Sequence, residues 1–266
     1  MSDNPGEPAA MKILLLGGTI EASRLAQALA DTPGINAVLS YAGRVERPKP
    51  QPIATRTGGF GGIDGLADYL RREAIDRVID ATHPFAAQMS TNAIAACAIT
   101  ETPLIALERR AWEPQAGDRW IEVEDLPQAV SALGQAPRRV FLAIGRMHLP
   151  VFASAPQHHY VVRLIDEPSA PPPMPSIDFI RGRGPFTADC DAAMMTERRI
   201  EVVVAKNAGG DGSSAKIEAA RRLGLPVVMV RRPPIPERER VETIEGVMAW
   251  LGRAAHPAPP SQRRGV

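Results

Sequence analysis

The sequence predicts an α/β fold of two lobes, each a mainly parallel sheet flanked by helices. Short apolar runs alternate with amphipathic stretches along most of the chain, which is typical of parallel strands joined by crossover helices. The same plan recurs in the second half, beyond a connection near residues 134–138. Units of this kind are Rossmann-like and bind ligands outside the carboxyl ends of their strands. The residues that follow each apolar run are therefore the candidates for function.

The first lobe is predicted over residues 11–136. Its opening run, KILLLG, has the uninterrupted apolar character of a strand buried on both faces. The helix predicted next, over 20–30, places Leu25, Ala26 and Leu29 on one face. The lobe continues with strands over 36–42, 76–81 and 103–108 and with helices over 63–73 and 86–98.

The second lobe is predicted over residues 137–253. Residues 167–176 include five prolines, which fix φ and remove backbone donors, so we expect a surface connection there. Residues 1–10 and 254–266 carry too little apolar surface to offset the entropy of ordering, and we expect both to be disordered. The predicted strands span 138–145, 159–165, 177–182, 202–207 and 226–232, and the predicted helices span 187–199, 214–223 and 241–252.

Charge and composition exclude several functional classes. The 31 Lys and Arg residues balance 30 Asp and Glu residues, which leaves a net charge of +1 and no basic stripe for nucleic acid. No window has the roughly 18 apolar residues of a membrane span, and the polar N-terminus lacks a secretory signal, so we expect a cytoplasmic protein without membrane contact. Cys97 and Cys190 lie far apart without metal-ligand spacing, so we expect neither a metal site nor a disulfide framework. Nothing points to an obligate protein partner.

A glycine pair ends the first predicted strand. Gly17 and Gly18 would let the backbone approach a ligand, and the N–H groups of the helix that follows favour phosphate. Thr19 would cap this helix or bind a phosphate oxygen, and Glu21 lies in its first turn. The motif departs from GxGxxG, so a tight turn with a simple helix cap is the alternative.

The second strand ends in SYAGR. In a dinucleotide fold this position meets the adenosine ribose, where an acidic residue suits a free 2′-hydroxyl and an arginine suits a 2′-phosphate. The chain offers Ser40, Gly43 and Arg44 there and no carboxylate, which favours NADP over NAD. The alternative is a solvated loop arginine.

The third strand ends in DATHPFA. Thr82 and His83 would present a hydroxyl and an imidazole to the ligand, before Pro84 at a helix start. His83 would stack on, hydrogen-bond to or protonate a substrate, or else serve only in capping or packing.

Three loops of the second lobe combine cationic or amide groups with glycine. They are Ala143–His148, Arg181–Phe186 and Ala205–Ser213. Guanidinium groups bind carboxylates in a bidentate way, so these loops predict a ligand with several carboxylates, unless they are only polar turns. AKNAGG lacks the GK[ST] of a nucleotide-triphosphate loop.

Taken together, LGGTIEASRLA, SYAGR, DATHPFA, IGR, RGRGPF and KNAGG resemble the precorrin-6A reductase family of cobalamin biosynthesis, over Met11 to about Leu251. The resemblance implies two Rossmann-like lobes with an active-site cleft between them, and reduction of one double bond of the precorrin-6A macrocycle by NADPH to give precorrin-6B. It also implies no metal and no flavin. Whether the macrocycle is metal-free or carries cobalt stays open.

The resemblance also implies roles for individual residues. The proton donor would be His83, Tyr41 or ordered water, with Thr82 beside the nicotinamide. The cofactor-binding residues would be Gly17, Gly18, Thr19, Glu21, Ser40, Gly43, Arg44, Thr82 and Pro84. The tetrapyrrole-binding residues would be His83, Phe85, Arg146, Arg183, Gly184, Lys206, Asn207, Gly209 and Gly210.

Two other functions stay open on the residues alone. An NADP-dependent reductase of a small carbonyl compound would need a proton-donating pair such as Tyr-x-x-x-Lys, and none of the three tyrosines has that spacing. A non-catalytic binding protein for an anionic metabolite would bind its ligand without oxidising NADPH.

Overall fold

The computed structural model of the chain describes residues 10–41, 50–164, 174–182, 184 and 186–254. The predicted disorder of 1–9 and 255–266 and most of the predicted proline-rich connection lie outside the described residues, as do Gly43, Arg44 and Arg183. The chain forms two compact units. Unit 1 comprises Met1–Arg109 and Ile235–Val266, and unit 2 comprises Arg110–Pro234.

The elements of unit 1 before the chain enters unit 2 alternate as predicted, with one extra strand. They are β1 (Met11–Leu16), α1 (Ile20–Ala30), β2 (Ile35–Tyr41), β3 (Ala54–Thr57), α2 (Gly62–Arg72), β4 (Arg77–Asp80), α3 (Ala87–Thr100) and β5 (Leu104–Leu107).

Unit 2 follows the same alternation and adds two 3₁₀ helices, Arg146–Ser154 and Asp211–Ser213. Its other elements are β6 (Arg119–Val123), α4 (Leu126–Ala132), β7 (Arg139–Ala143), β8 (His159–Leu164), β9 (Ile177–Arg181), α5 (Ala188–Glu197), β10 (Val202–Lys206), α6 (Ala215–Arg222) and β11 (Pro226–Val230). The chain then returns to unit 1 with β12 (Arg240–Val241) and α7 (Ile244–Ala254).

Both sheets are parallel throughout their described pairings, which confirms the predicted α/β class. The strand order is β12-β5-β4-β1-β2-β3 in unit 1 and β6-β11-β10-β7-β8-β9 in unit 2. In each unit the order reverses direction beside a central strand, between β1 and β4 and between β7 and β10. These are the topological switch points at which open α/β sheets bind ligands.

Each sheet is covered by helices because its strands carry apolar side chains on both faces. In unit 1, Leu25 and Leu29 of α1 pack with Val247 and Leu251 of α7 on one face. Leu66 of α2 packs with residues of α3 and β4 on the other face. In unit 2, α5 and α6 contribute Met195 and Ile217 to a cluster with Phe141 and Val203. No helix within the described ranges has the length and apolar character that a membrane crossing requires.

The division between units differs from the expected boundary at residues 136 and 137. The structure divides the chain after Arg109, because β6 pairs in parallel with β11, with Trp120 opposite Val227. The structure also returns the segment from Ile235 onward to unit 1, where β12 pairs with β5. Both pairings join segments distant in sequence, which local periodicity does not reveal.

Candidate functional site

A side chain at the first position of the glycine turn after β1 would meet the end of the Leu39 side chain. The Gly17 N–H donates to Ser40 O at 3.0 Å, and a Cβ on Gly17 would lie 2.4 Å from Leu39 Cδ1. Gly18 has φ of +120°, and no heavy atom lies within 4 Å of the position its Cβ would take. The turn therefore exposes backbone beside open space, which is the arrangement that a close-approaching ligand group requires.

Thr19 ties this turn to the loop that follows β4. Its Oγ1 accepts a hydrogen bond from the Ala22 N–H at 3.1 Å, which caps α1. The same hydroxyl donates to Ala81 O at 2.9 Å. Since its single proton is committed to Ala81, Thr19 contributes chiefly by joining the two loops of the unit 1 switch point.

Glu21 lies in the first turn of α1 and accepts a hydrogen bond from Arg109 Nη1 at 2.8 Å. Burial opposes its ionisation, but its own backbone N–H and Arg109 outweigh that effect, so the pKa of Glu21 is lowered. The first turn of α1 thus carries a carboxylate whose negative charge is already compensated by Arg109.

The loop after β4 is held by Asp80. The Thr82 N–H and hydroxyl both donate to Asp80 Oδ1, at 3.1 and 2.7 Å. His83 Nδ1 accepts from the Phe85 N–H at 3.2 Å, so a neutral His83 ring carries its proton on Nε2. Pro84 is buried, whereas Thr82, His83 and Phe85 are half-buried. The loop offers a hydroxyl oxygen and an imidazole N–H at the switch point.

At the end of β2 the structure shows a functional candidate that was not predicted from the sequence, Arg56. Ser40 is buried, and its hydroxyl accepts from Arg56 Nη1 at 2.7 Å. Arg56 lies opposite Ser40 on β3 and also donates to Gly58 O and Gly59 O, with its guanidinium 3.9 Å from the centre of the Phe60 ring. A fixed positive charge therefore lies at the predicted adenosine end. The glycines of TGGFGG after β3 were the signal that could have revealed this loop.

Tyr41 ends β2 and packs against the core beneath α1. Burial raises the pKa of its hydroxyl, and hydrogen bonds with Ser23 and Gln51 act in the opposite direction. The polar neighbours of the Tyr41 hydroxyl are therefore Ser23 and Gln51, whereas the His83 ring accepts from the Phe85 N–H.

In unit 2, two loops meet at the switch point through a charged contact. Lys206 ends β10, and its Nζ lies 2.7 Å from His148 Nε2 in the 3₁₀ helix after β7. An ammonium group can only donate, so His148 Nε2 accepts. Arg146 opens the same 3₁₀ helix and is exposed. Lys206 and Arg146 were predicted from the sequence, whereas His148 was not, because its contact with Lys206 depends on the strand order.

The remaining predicted residues of the KNAGG loop hold the segment that enters unit 2. The buried Asn207 side chain accepts from the Trp112 N–H and donates to Trp112 O, both at 2.8 Å. Gly210 O accepts from Trp112 Nε1 at 2.8 Å. A Cβ on Gly209, whose φ is +70°, would lie 2.0 Å from Arg110 O. These three residues shape the loop that presents Lys206.

The loop after β9 is anchored by an aromatic contact. Phe186 is 37% exposed and lies against Arg163, whose guanidinium is 3.9 Å from the ring centre. Arg163 Nη2 donates to the buried Asp191 at 2.5 Å. Gly184 lies beside Phe186, where an added Cβ would stay at 3.5 Å from the ring.

The residues of unit 1 fit a nicotinamide dinucleotide. The Gly17–Gly18 turn has an uncovered backbone position at a helix N-terminus, and the hydroxyl and imidazole of the neighbouring loop lie at the switch point. Unit 2 instead presents cations at its switch point, which suits carboxylates.

Comparison with known proteins shows the family of the chain. The family model described as precorrin-6x reductase CbiJ/CobK matches residues 12–252. The precorrin-6A reductase of Rhodobacter capsulatus is 58% identical over 96% of this chain and 99% of its own length. That of a Sinorhizobium species is 48% identical over 94% and 95%. A solved structure titled CobK precorrin-6A reductase superposes with a TM-score of 0.86 at 56% identity, covering 96% of this chain and 100% of that one.

Proposed function

The chain belongs to the precorrin-6x reductase family, and we propose that it reduces one double bond of precorrin-6A with NADPH, giving precorrin-6B. The reductase activity in cobalamin biosynthesis follows from the family match across residues 12–252. The same match removes the two other functions that the residues alone left open. The identity of the cofactor and the roles of individual residues are our proposals.

The single observation that carries the cofactor assignment is the hydrogen bond from Thr19 Oγ1 to Ala81 O at 2.9 Å. It joins the glycine turn to the Thr82–His83 loop, so a nucleotide bound along the turn would end beside that loop. The Arg56 guanidinium at the end of β2 supports a cofactor with a 2′-phosphate, because it supplies the positive charge that this group requires. Arg44 would add to that charge.

When bound, the reduced nicotinamide supplies a hydride to a carbon of the conjugated macrocycle. Reduction of a double bond also consumes one proton. We assign its delivery to Nε2 of His83 in the imidazolium form, which returns to the neutral imidazole when the proton is transferred. Thr82 would orient the cofactor. Positioning of the two reactants accounts for much of the expected rate enhancement.

Unit 2 would bind the acetate and propionate groups of the macrocycle. Lys206 and Arg146 would pair with these carboxylates, with Arg183 and the backbone of Gly184 adding to them. Asn207, Gly209 and Gly210 would act by holding the loop that presents Lys206, since Trp112 takes up the side chain of Asn207 and the carbonyl of Gly210.

Absorbance at the nicotinamide band tests the proposal. The purified protein with precorrin-6A should consume NADPH with one equivalent of product, and NADH should serve much less well. A protein without substrate provides the blank. NADPH loss no faster than the blank would refute the activity, and equal rates with NADH would refute the assignment of the cofactor.

A further inference from the structure

A buried ion cluster lies beneath the Thr82–His83 loop. Asp80 ends β4, and its side chain is 1% exposed. Arg238 Nη2 lies 3.0 Å from Glu108 Oε2 and 3.8 Å from Asp80 Oδ2, and the Arg238 side chain is 10% exposed. One guanidinium therefore compensates two carboxylates where water is largely excluded. A buried carboxylate that loses such a partner is strongly destabilised.

Arg238 reaches this position from a distant part of the sequence. It immediately precedes β12, in the segment that returns from unit 2. The Ala106 N–H donates to Glu239 O and the Glu108 N–H donates to Val241 O, each at 2.9 Å. Because these backbone hydrogen bonds hold the segment beside β5, the sheet fixes the position from which the Arg238 side chain extends.

Asp80 in turn fixes the direction of the Thr82 hydroxyl. An ionised carboxylate can only accept hydrogen bonds, so the 2.7 Å contact requires Thr82 Oγ1 to donate to Asp80 Oδ1. The proton of Thr82 is then committed inward. Ser90 Oγ lies 3.4 Å from Thr82 Oγ1 and can then only donate to it. The remaining lone pair of the Thr82 oxygen offers a ligand an acceptor, whereas neighbouring His83 offers a donor.

We propose that Arg238 is a positioning residue for the reductase. By compensating Asp80 it fixes the Thr82 hydroxyl as an acceptor and holds residues 82–86 in the conformation that receives a carboxamide N–H of the nicotinamide. The role in holding the loop stands independently, and the role toward the carboxamide rests on the proposed function.

Hydrogen–deuterium exchange on the ligand-free protein tests the first role. In Arg238→Gln the amides of Thr82, His83, Phe85 and Ala86 should exchange about tenfold faster or more, because the buried Asp80 carboxylate loses its neighbouring cation. Amides of β2 should be unchanged, and Arg238→Lys should restore most of the protection. The matched control is Arg221→Gln, which removes the partner of the buried Asp118 in unit 2 and should leave residues 82–86 unaffected. Unchanged exchange in Arg238→Gln would overturn the proposal.

Binding measured by calorimetry tests the second role and uses two ligands. NADP⁺ carries the nicotinamide, whereas 2′,5′-ADP contains only the adenosine half. Arg238→Gln and Thr82→Val should each weaken NADP⁺ by roughly fivefold and leave 2′,5′-ADP unchanged, as expected for one lost neutral hydrogen bond. Thr82→Val keeps the buried charges, so it tests the acceptor role of Thr82 even if Arg238→Gln does not fold. Equal weakening of both ligands would contradict a positioning role. Failure of the unaltered protein to bind either ligand would count against the proposed cofactor, and the exchange experiment would still decide the role of Arg238 in holding the loop.

Discussion

The two units share the order of the five strands around the switch point and differ in the chemistry of that switch point. In unit 1 the two loops meet through a neutral contact, from the Thr19 hydroxyl to Ala81 O. In unit 2 the equivalent loops meet through the cationic side chain of Lys206 and the ring of His148. The shared topology brings the loops together, and the residues placed on them select the ligand. In the proposed function, unit 1 binds the nucleotide and unit 2 binds the carboxylates.

Both units also pair buried carboxylates with arginines, and one such pair from each unit differs in geometry. In unit 2, Arg163 donates directly to Asp191 at 2.5 Å. In unit 1, Arg238 stays 3.8 Å from Asp80, whose other oxygen accepts from Thr82. The unit 2 pair is a direct ion pair that supports Phe186. In the unit 1 pair, Asp80 also accepts a hydrogen bond from Thr82, so this pair supports the loop to which we assign a role in the reaction.

The largest expected effect tests whether the proton donor of the reaction lies in unit 1. His83→Ala should lower kcat by about 100-fold, the lower limit for loss of a general acid, while the Kd of NADPH changes little. Steady-state kinetics with fluorescence titration of NADPH measures both quantities. The matched change in unit 2, His148→Ala, should raise KM for the tetrapyrrole and spare kcat. Normal turnover in His83→Ala would make His83 structural.

Replacement of Lys206 tests the other half of the comparison. Lys206→Met should raise KM for precorrin-6A by roughly 10- to 100-fold, because a charge-assisted hydrogen bond contributes about 1.5–3 kcal/mol. NADPH affinity should be unchanged. Arg222→Met is the control, since Arg222 lies in the same unit at the end of α6, is exposed and contacts Asp189 and Glu218. A similar rise in KM in both variants would mean that Lys206 acts only through the net charge of unit 2.

Much of this comparison could be predicted from the sequence, because local patterns determine it. The helix over 20–30 was predicted with its observed bounds, and Gly17 and Gly18 could be selected from their place after an apolar run. Both β3 and β6 were missed, because ATRT and RWIEV are short edge strands that alternate with polar residues.

What depends on pairing across the chain could not be predicted. The packing of α7 on α1 and the approach of Arg238 to Asp80 join residues more than 150 positions apart. The contact of His148 with Lys206 likewise depends on β10 lying beside β7. A single sequence shows such residues but does not show which of them meet.

A substitution in the glycine turn should affect only the nucleotide. Gly18→Ala should weaken NADPH by about tenfold, because a φ of +120° is strained by about 1–3 kcal/mol for a residue with a Cβ. The tetrapyrrole KM should be unchanged. Gly224→Ala, at a glycine with φ of +64° in unit 2, is the control for a general effect of strain on stability. Unaltered NADPH binding in Gly18→Ala would separate the turn from the cofactor.

The smallest expected effect is on the free energy of unfolding of unit 2, which we expect to depend on pH through one buried histidine. His158 in unit 2 is fully buried, and its Nδ1 has no hydrogen-bond partner among the described residues. Burial lowers the pKa of His158 below its ordinary value of 6.5; the Gly134 backbone opposes this effect and the charge of Arg138 adds to it. The unfolded chain therefore binds this proton first as the pH falls.

Unit 2 should accordingly lose stability below about pH 6.5, by at most about 1.4 kcal/mol per pH unit for one proton. His158→Gln removes the titrating ring and should flatten this dependence. Denaturant unfolding between pH 5 and 8, conducted in a Trp250→Phe background, reports on unit 2 because Trp112 and Trp120 then supply the fluorescence. An equally steep loss in His158→Gln would show that other groups make unit 2 sensitive to acid. A shallower loss would show that this buried histidine accounts for the sensitivity of unit 2 to acid.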